Sequence, residues 1–137
     1  MTTQTDIRNA LTSAINGASF GVPIRFPNPK NWVTPSNAQW LRVTYLFGKK
    51  DPLSLNDTDQ QTIICYVDCF TPKGSGNIST YSIADKLDAL FSKKNPILTS
   101  DGTKLNVLTS SISEDDDDET WFITQFSATI RVYLPKL

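Results

Sequence analysis

Pro72-Lys73-Gly74-Ser75-Gly76 stands where a phosphate-binding enzyme keeps its loop, between a β-branched run and an amphipathic segment. A loop that grips phosphate needs G-x-x-x-x-G-K-[ST], so that backbone amides surround the phosphates and a lysine opens the helix. Here Lys73 precedes the glycines and no Gly-Lys-Ser follows. The dinucleotide fingerprint G-x-G-x-x-G also fails, because Ser79 stands where its third glycine belongs. The glycines therefore read as turn residues that permit φ above zero.

Cys65 and Cys69 have the spacing C-x-x-x-C. On a strand their Cα atoms stand about 13 Å apart at ~3.3 Å per residue, beyond the roughly 7 Å that a disulfide spans. Shared metal ligation fails for the same reason. Two reduced cysteines acting as small buried hydrophobes remain. The run Glu114-Asp-Asp-Asp-Asp-Glu119 offers carboxylates that a hard cation prefers, yet lacks the spaced ligands and glycine of an EF-hand loop. Six adjacent acids repel one another, so the run reads as a solvated hairpin loop. Repeated around an oligomer it would form a negative rim.

The chain has no histidine. Ser-His and Cys-His nucleophile systems and His-ligated zinc are excluded with it. Carboxylates, Lys, Tyr and Cys are the remaining routes to catalysis. At 137 residues, 39% hydrophobic and 20% charged, the sequence reads as one globular domain over residues 1–137. A net charge of −1 leaves no basic excess to neutralise a nucleic-acid backbone. No apolar run approaches the roughly 18 residues of a membrane span. Met1-Thr-Thr-Gln-Thr-Asp lacks the character of a signal peptide, which points to synthesis and assembly in a cytosol. Asn56-Asp-Thr58 and Asn77-Ile-Ser79 match the glycosylation pattern by chance in that setting.

The elements around these residues follow from periodicity. Ile7, Ala10, Leu11, Ala14 and Ile15 form one helical stripe over Asp6 to Asn16, with Thr3 or Thr5 as cap and Gly17 as stop. Val22 to Phe26 predicts a short strand, followed by an ordered extended arm broken by Pro27, Pro29 and Pro35 and holding Trp32. Trp40 to Phe47 predicts a strand with Leu41, Val43, Tyr45 and Phe47 on one face and Trp40, Arg42, Thr44 and Leu46 on the other. Gly48 to Asp59 reads as a long polar loop, of the length that is usually functional. Gln60 to Phe70 is the next strand. A helix over Ser79 to Ser92 follows, capped by Ser79 or Thr80, with Lys93-Lys94 favouring its C-terminal dipole. Lys104 to Ile112 and Thr120 to Leu134 complete the set. The last alternates over about three times the usual strand length, so it must extend past the sheet or pair with two neighbours. The expected fold is α+β, a mainly antiparallel or mixed sheet of about five strands with two helices, in the order α-β-β-β-α-β-β.

This succession resembles the tail terminator, or tail-completion, proteins of lambda-type long-tailed bacteriophages. The likeness rests on a short N-terminal helix and a loop rich in Pro, Asn and Trp (Pro27-Asn-Pro-Lys-Asn-Trp32). Trp-Leu-Arg-Val at Trp40 to Val43 follows, then a strand closing on Phe70-Thr-Pro-Lys-Gly-Ser-Gly76. An Ala-Asp-x-Leu helix at Ala84 to Leu87, ending in Phe91, and a long C-terminal strand complete it. The resemblance implies a virion assembly protein without catalytic residues, metal or cofactors. Such proteins form a ring, typically hexameric, on the tail tube in the host cytoplasm. The ring ends tube polymerisation and presents a surface to the head-completion or connector protein. DNA passes its lumen without specific binding, and no membrane takes part. Alternatives of similar composition are another neck or head-tail joining protein, a minor tail protein or a tube subunit. A small carboxylate-dependent enzyme is the alternative outside that class. On the terminator reading, the assembly contacts are expected at Trp32, at Lys49, Lys50 and Asp51, and in the acidic run at Asp115, Asp116, Asp117 and Asp118.

Overall fold

The computed structural model describes residues 3–52, 58–74, 78–94, 96–115 and 121–135. Its elements are α1 (Gln4–Gly17), β1 (Ile24–Arg25), β2 (Trp40–Pro52), β3 (Thr58–Pro72), α2 (Ile78–Leu90), β4 (Ile97–Leu98), β5 (Lys104–Asp115) and β6 (Trp121–Pro135). The strands form a single mixed sheet in the order β1-β2-β3-β6-β5-β4. Only β1 runs parallel to its neighbour, β2; the other pairings are antiparallel. The expected α+β class stands, but with six strands rather than five. The extra strand is β4, two residues that pair with Lys104 and Leu105 and are too short to leave a periodic signature.

One face of the sheet carries the core. Leu41, Val43 and Tyr45 on β2 align with Cys69, Val67 and Cys65 on β3, and Phe126, Ala128, Ile130, Val132 and Leu134 on β6 continue the layer. α1 covers it with Ile7, Leu11 and Ile15, each fully buried, and α2 with Ile83 and Leu87, joined by Phe91 just past its end. Burying each such aliphatic side chain contributes about 1.5–3 kcal/mol. Polar contacts orient the helices: the Thr12 and Tyr45 hydroxyls lie 2.9 Å apart, and Arg8 stands 5.1 Å over the Phe47 ring. On the other side, the Ser110 hydroxyl donates to Asp88 at 3.2 Å.

Several boundaries differ from the sequence expectation. Thr3 is the cap of α1, in a reciprocal capping box with Asp6. Gly17 does not stop that helix; it is the last helical residue, and Ser19, at φ 56°, takes the left-handed position. α2 begins at Ile78, so neither Ser79 nor Thr80 precedes it. Thr80 lies inside the helix, buried, its hydroxyl 2.8 Å from that of Thr71. Its hydroxyl thus serves a buried tertiary contact rather than the cap expected of it. α2 ends at Leu90 with no basic residue in its last turn, which leaves Lys93-Lys94 outside it. The long β6 pairs with β3 on one side and β5 on the other, and β3 equals it at 15 residues.

The largest correction concerns Gly48 to Asp59, read as a polar loop. β2 runs on to Pro52 and β3 starts at Thr58, so the outer hairpin stays paired at Lys50–Gln61, Asp51–Gln60 and Pro52–Asp59. Residues 53–57, the rest of that segment, lie outside the described residues. A bulge between Phe47 and Lys50 hides the strand, because it breaks the alternation that periodicity detects. Gly48 makes the bulge possible: a Cβ there would stand 2.8 Å from the Thr62 carbonyl oxygen. Gln61, 1% exposed, then donates to the Gly48 carbonyl at 2.8 Å.

Candidate assembly surface

Among the described residues no helix lies on the sheet's second face. Alternation sends Trp40, Arg42, Thr44 and Leu46 to it from β2, and register adds Phe70, Asp68, Tyr66 and Ile64 from β3. β6 supplies Ile123, Gln125, Ser127, Thr129 and Arg131. Most of these positions are half-buried by their sheet neighbours, while Leu46 and Tyr133 are exposed.

At one end of this face the aromatics condense. Trp40 stacks on Phe70 with centroids 4.1 Å apart and planes 5° from parallel. Trp121 meets both rings edge-on, and Trp32 from the proline-rich arm lies 5.6 Å from Trp40. Pairing of Trp40 with Phe70 and of Pro72 with Trp121 brings the rings together, because register places both pairs at the same end of three central strands. The arm reaches them through left-handed turns at Asn28 and Asn31, with φ of 52° and 59°. Next to the cluster, Arg42 donates to one Asp68 oxygen from Nε at 3.1 Å and from a terminal nitrogen at 2.8 Å. Gln125 donates to the other oxygen at 2.8 Å. The guanidinium also stands 5.0 Å over the Phe70 ring. One buried carboxylate thus ties β2, β3 and β6 together and neutralises the arginine.

The residues expected as contacts do not converge. Strand direction puts Lys49, Lys50 and Asp51, all exposed, at the sheet end opposite the aromatic cluster. The ten steps from Trp40 to Lys50 span about 33 Å at ~3.3 Å each. Trp32 and the backbone of Asp115, which pairs with Ile123, belong to the aromatic end. Asp116, Asp117 and Asp118 lie outside the described residues. The sheet therefore has a lysine-bearing end and an end combining tryptophans with the start of the acidic run. Sequence reading missed the Arg42–Asp68–Gln125 ladder. Its only linear signal was a charged Arg42 and a carboxylate at Asp68 inside β-branched runs, and nothing local pairs them.

Among the described residues no group of three or more Cys, Asp or Glu side chains could hold a metal ion. The cysteines both face the core from β3, separated along the strand by Val67, and both are buried and free. Burial pushes the Cys65 thiol up from the usual 9 to about 12 and raises that of Cys69 too, against hydrogen bonds from Thr71, Thr80 and Gln39 that lower it. A raised folded value means the native state holds its proton while the unfolded chain ionises. Stability is accordingly full below the unfolded thiol value and falls as pH rises toward the folded one. Between pH 8 and 10 Cys65 alone is expected to remove about 1 kcal/mol. Urea unfolding at the two pH values checks this, and a Cys65→Ala chain should lose less over the same interval.

The family model described as phage tail terminator protein matches residues 6–131, from the first turn of α1 to within a few residues of the end of β6. The chain belongs to the phage tail terminator proteins. That family is a structural one, so the protein is a component of the phage tail rather than a member of an enzyme family. A solved structure agrees on the fold: it superposes with a TM-score of 0.73, covers 96% of both chains and is 20% identical in sequence. No curated protein has a matching sequence. No helix of the described residues is long and apolar enough to cross a membrane.

Proposed function

We propose that copies of this chain close into a ring on the end of the tail tube, stop its polymerisation and offer the opposite face to the head-completion protein. The observation that carries this reading is the polarity of the sheet, with Lys49 and Lys50 at one end and Trp32, Trp40, Trp121 and Asp115 at the other. A ring whose strands rise along its axis turns these ends into two unlike annular faces, one for the tube and one for the head. Polar side chains of the helix-free face, Thr44, Gln125, Ser127 and Thr129, would line a bore that DNA slides through without sticking. The acidic run at one rim would repel the phosphate backbone there.

Light scattering coupled to size exclusion should find a closed oligomer, six copies being the expected number, either alone or upon addition of tube protein. Tubes polymerised with the chain present should be shorter and capped. The double variant Lys49→Glu/Lys50→Glu should lose one of the two docking partners, read by co-sedimentation with tubes and with tail-less heads. A stable monomer that leaves tube length unchanged would refute the proposal.

A further inference from the structure

We propose that neighbouring copies join edge to edge, the outer edge of β5 in one copy adding as an antiparallel strand to the outer edge of β2 in the next. The inference rests on the ring reading and specifies its subunit contact. β1 pairs with β2 only at Leu41 and Arg42, and β4 with β5 only at Lys104 and Leu105. Among the described elements, the outer edges of Val43–Pro52 and Asn106–Asp115 thus have no strand partner, and the two stretches are of equal length. Such edges are hazards that soluble proteins guard with lysine, proline or a covering element. Here β5 carries no Lys, Arg or Pro from Asn106 to Asp115, and the guards on β2, Lys49, Lys50 and Pro52, sit only at its far end.

Direction and offset support the pairing. β2 and β5 run oppositely within one sheet, since three antiparallel pairings separate them. Rotation about a ring axis preserves each strand's sense along that axis, so β5 of one copy meets β2 of the next antiparallel. The helix layer stays on one side throughout. The contact uses two different surfaces, and a heterologous contact closes into a ring when its rotation permits. The free stretches are also staggered: Asp115 lies in the row of Trp40, through Ile123 and Phe70, whereas the free part of β2 starts at Val43, three residues higher. Strands tilted around a closed cylinder need such a shear between neighbours.

Proline removes one backbone donor, and in an edge strand successive amides point alternately inward and outward. Of Ile112→Pro and Ser113→Pro, one therefore loses an inward bond to β6 and the other only an outward donor. The variant that retains the wild-type circular dichroism should be monomeric under conditions where the unaltered chain is a ring. Full assembly by that folded variant overturns the edge contact and leaves the ring reading intact. A wild-type chain that is monomeric with and without tube protein overturns both. Should both variants unfold, hydrogen exchange on the unaltered chain decides. Amides in Val43–Phe47 and Thr109–Ser113 should exchange at least tenfold more slowly in the ring than in the dilute monomer, and equal rates overturn the contact.

Discussion

Trp40→Ala is expected to cost about 3–5 kcal/mol of folding stability, the largest effect of any single change on the aromatic end. Trp40 is 5% exposed, stacked on Phe70 and flanked by Trp32 and Trp121, so truncation opens a void beneath three rings. The neighbours cannot collapse into it easily, because Phe70 and Trp121 are fixed on β3 and β6 by backbone pairing. Trp40→Phe separates the stack from the indole. It keeps a ring against Phe70 and removes Nε1, a buried donor without a hydrogen-bond partner. An unsatisfied buried donor is itself unfavourable by about 1–3 kcal/mol, so the phenylalanine variant should lie much closer to wild type than the alanine one. Urea denaturation of the two variants, followed by circular dichroism, gives the comparison. Equal losses would mean that ring stacking is not what holds this end together.

The Arg42–Asp68 pair should show an asymmetric response. Asp68 is 4% exposed, whereas the Arg42 side chain retains 42% of its exposure. Arg42→Met leaves a buried carboxylate with Gln125 as its remaining side-chain partner, and breaking a buried pair in this way costs about 3–5 kcal/mol. Asp68→Leu should cost less, roughly 1–3 kcal/mol, because the freed guanidinium can turn to water. The double variant Arg42→Met/Asp68→Leu should be more stable than Arg42→Met alone, since an apolar pair replaces an orphaned charge. A double-mutant cycle measured by urea unfolding tests the order. Additive losses would show that the two side chains are not energetically coupled.

Much of the architecture was legible because it is written in local periodicity. The stripe Ile7, Leu11, Ile15 and the alternation from Phe122 to Leu134 identify their elements whatever surrounds them, and both proved to be core-facing. The cysteine argument held for the same reason: spacing along an extended strand is fixed by covalent geometry. Legibility failed where a tertiary contact overrode a local signal. Gly48 and its bulge concealed the continuation of β2, and the Thr71–Thr80 bond turned an expected helix cap into an interior residue. β4 exists only because β5 is there to pair with it.

The residues expected as contacts mark the same boundary. Lys49, Lys50, Asp51, Trp32 and Asp115 could be singled out one by one as exposed, charged or aromatic positions in polar segments. That they divide between two ends of one sheet depends on strand direction and register, which no single segment encodes. The sequence by itself determined most of the elements, the reduced cysteines, the lack of histidine chemistry and the resemblance to a tail terminator. Only the tertiary structure decided the six-strand order, the helix-free face with its Arg42–Asp68–Gln125 ladder and, among the described elements, the two edges without a strand partner. Those features arise from residues some 26 to 57 positions apart, and contacts at such separation are set by how the whole sheet assembles.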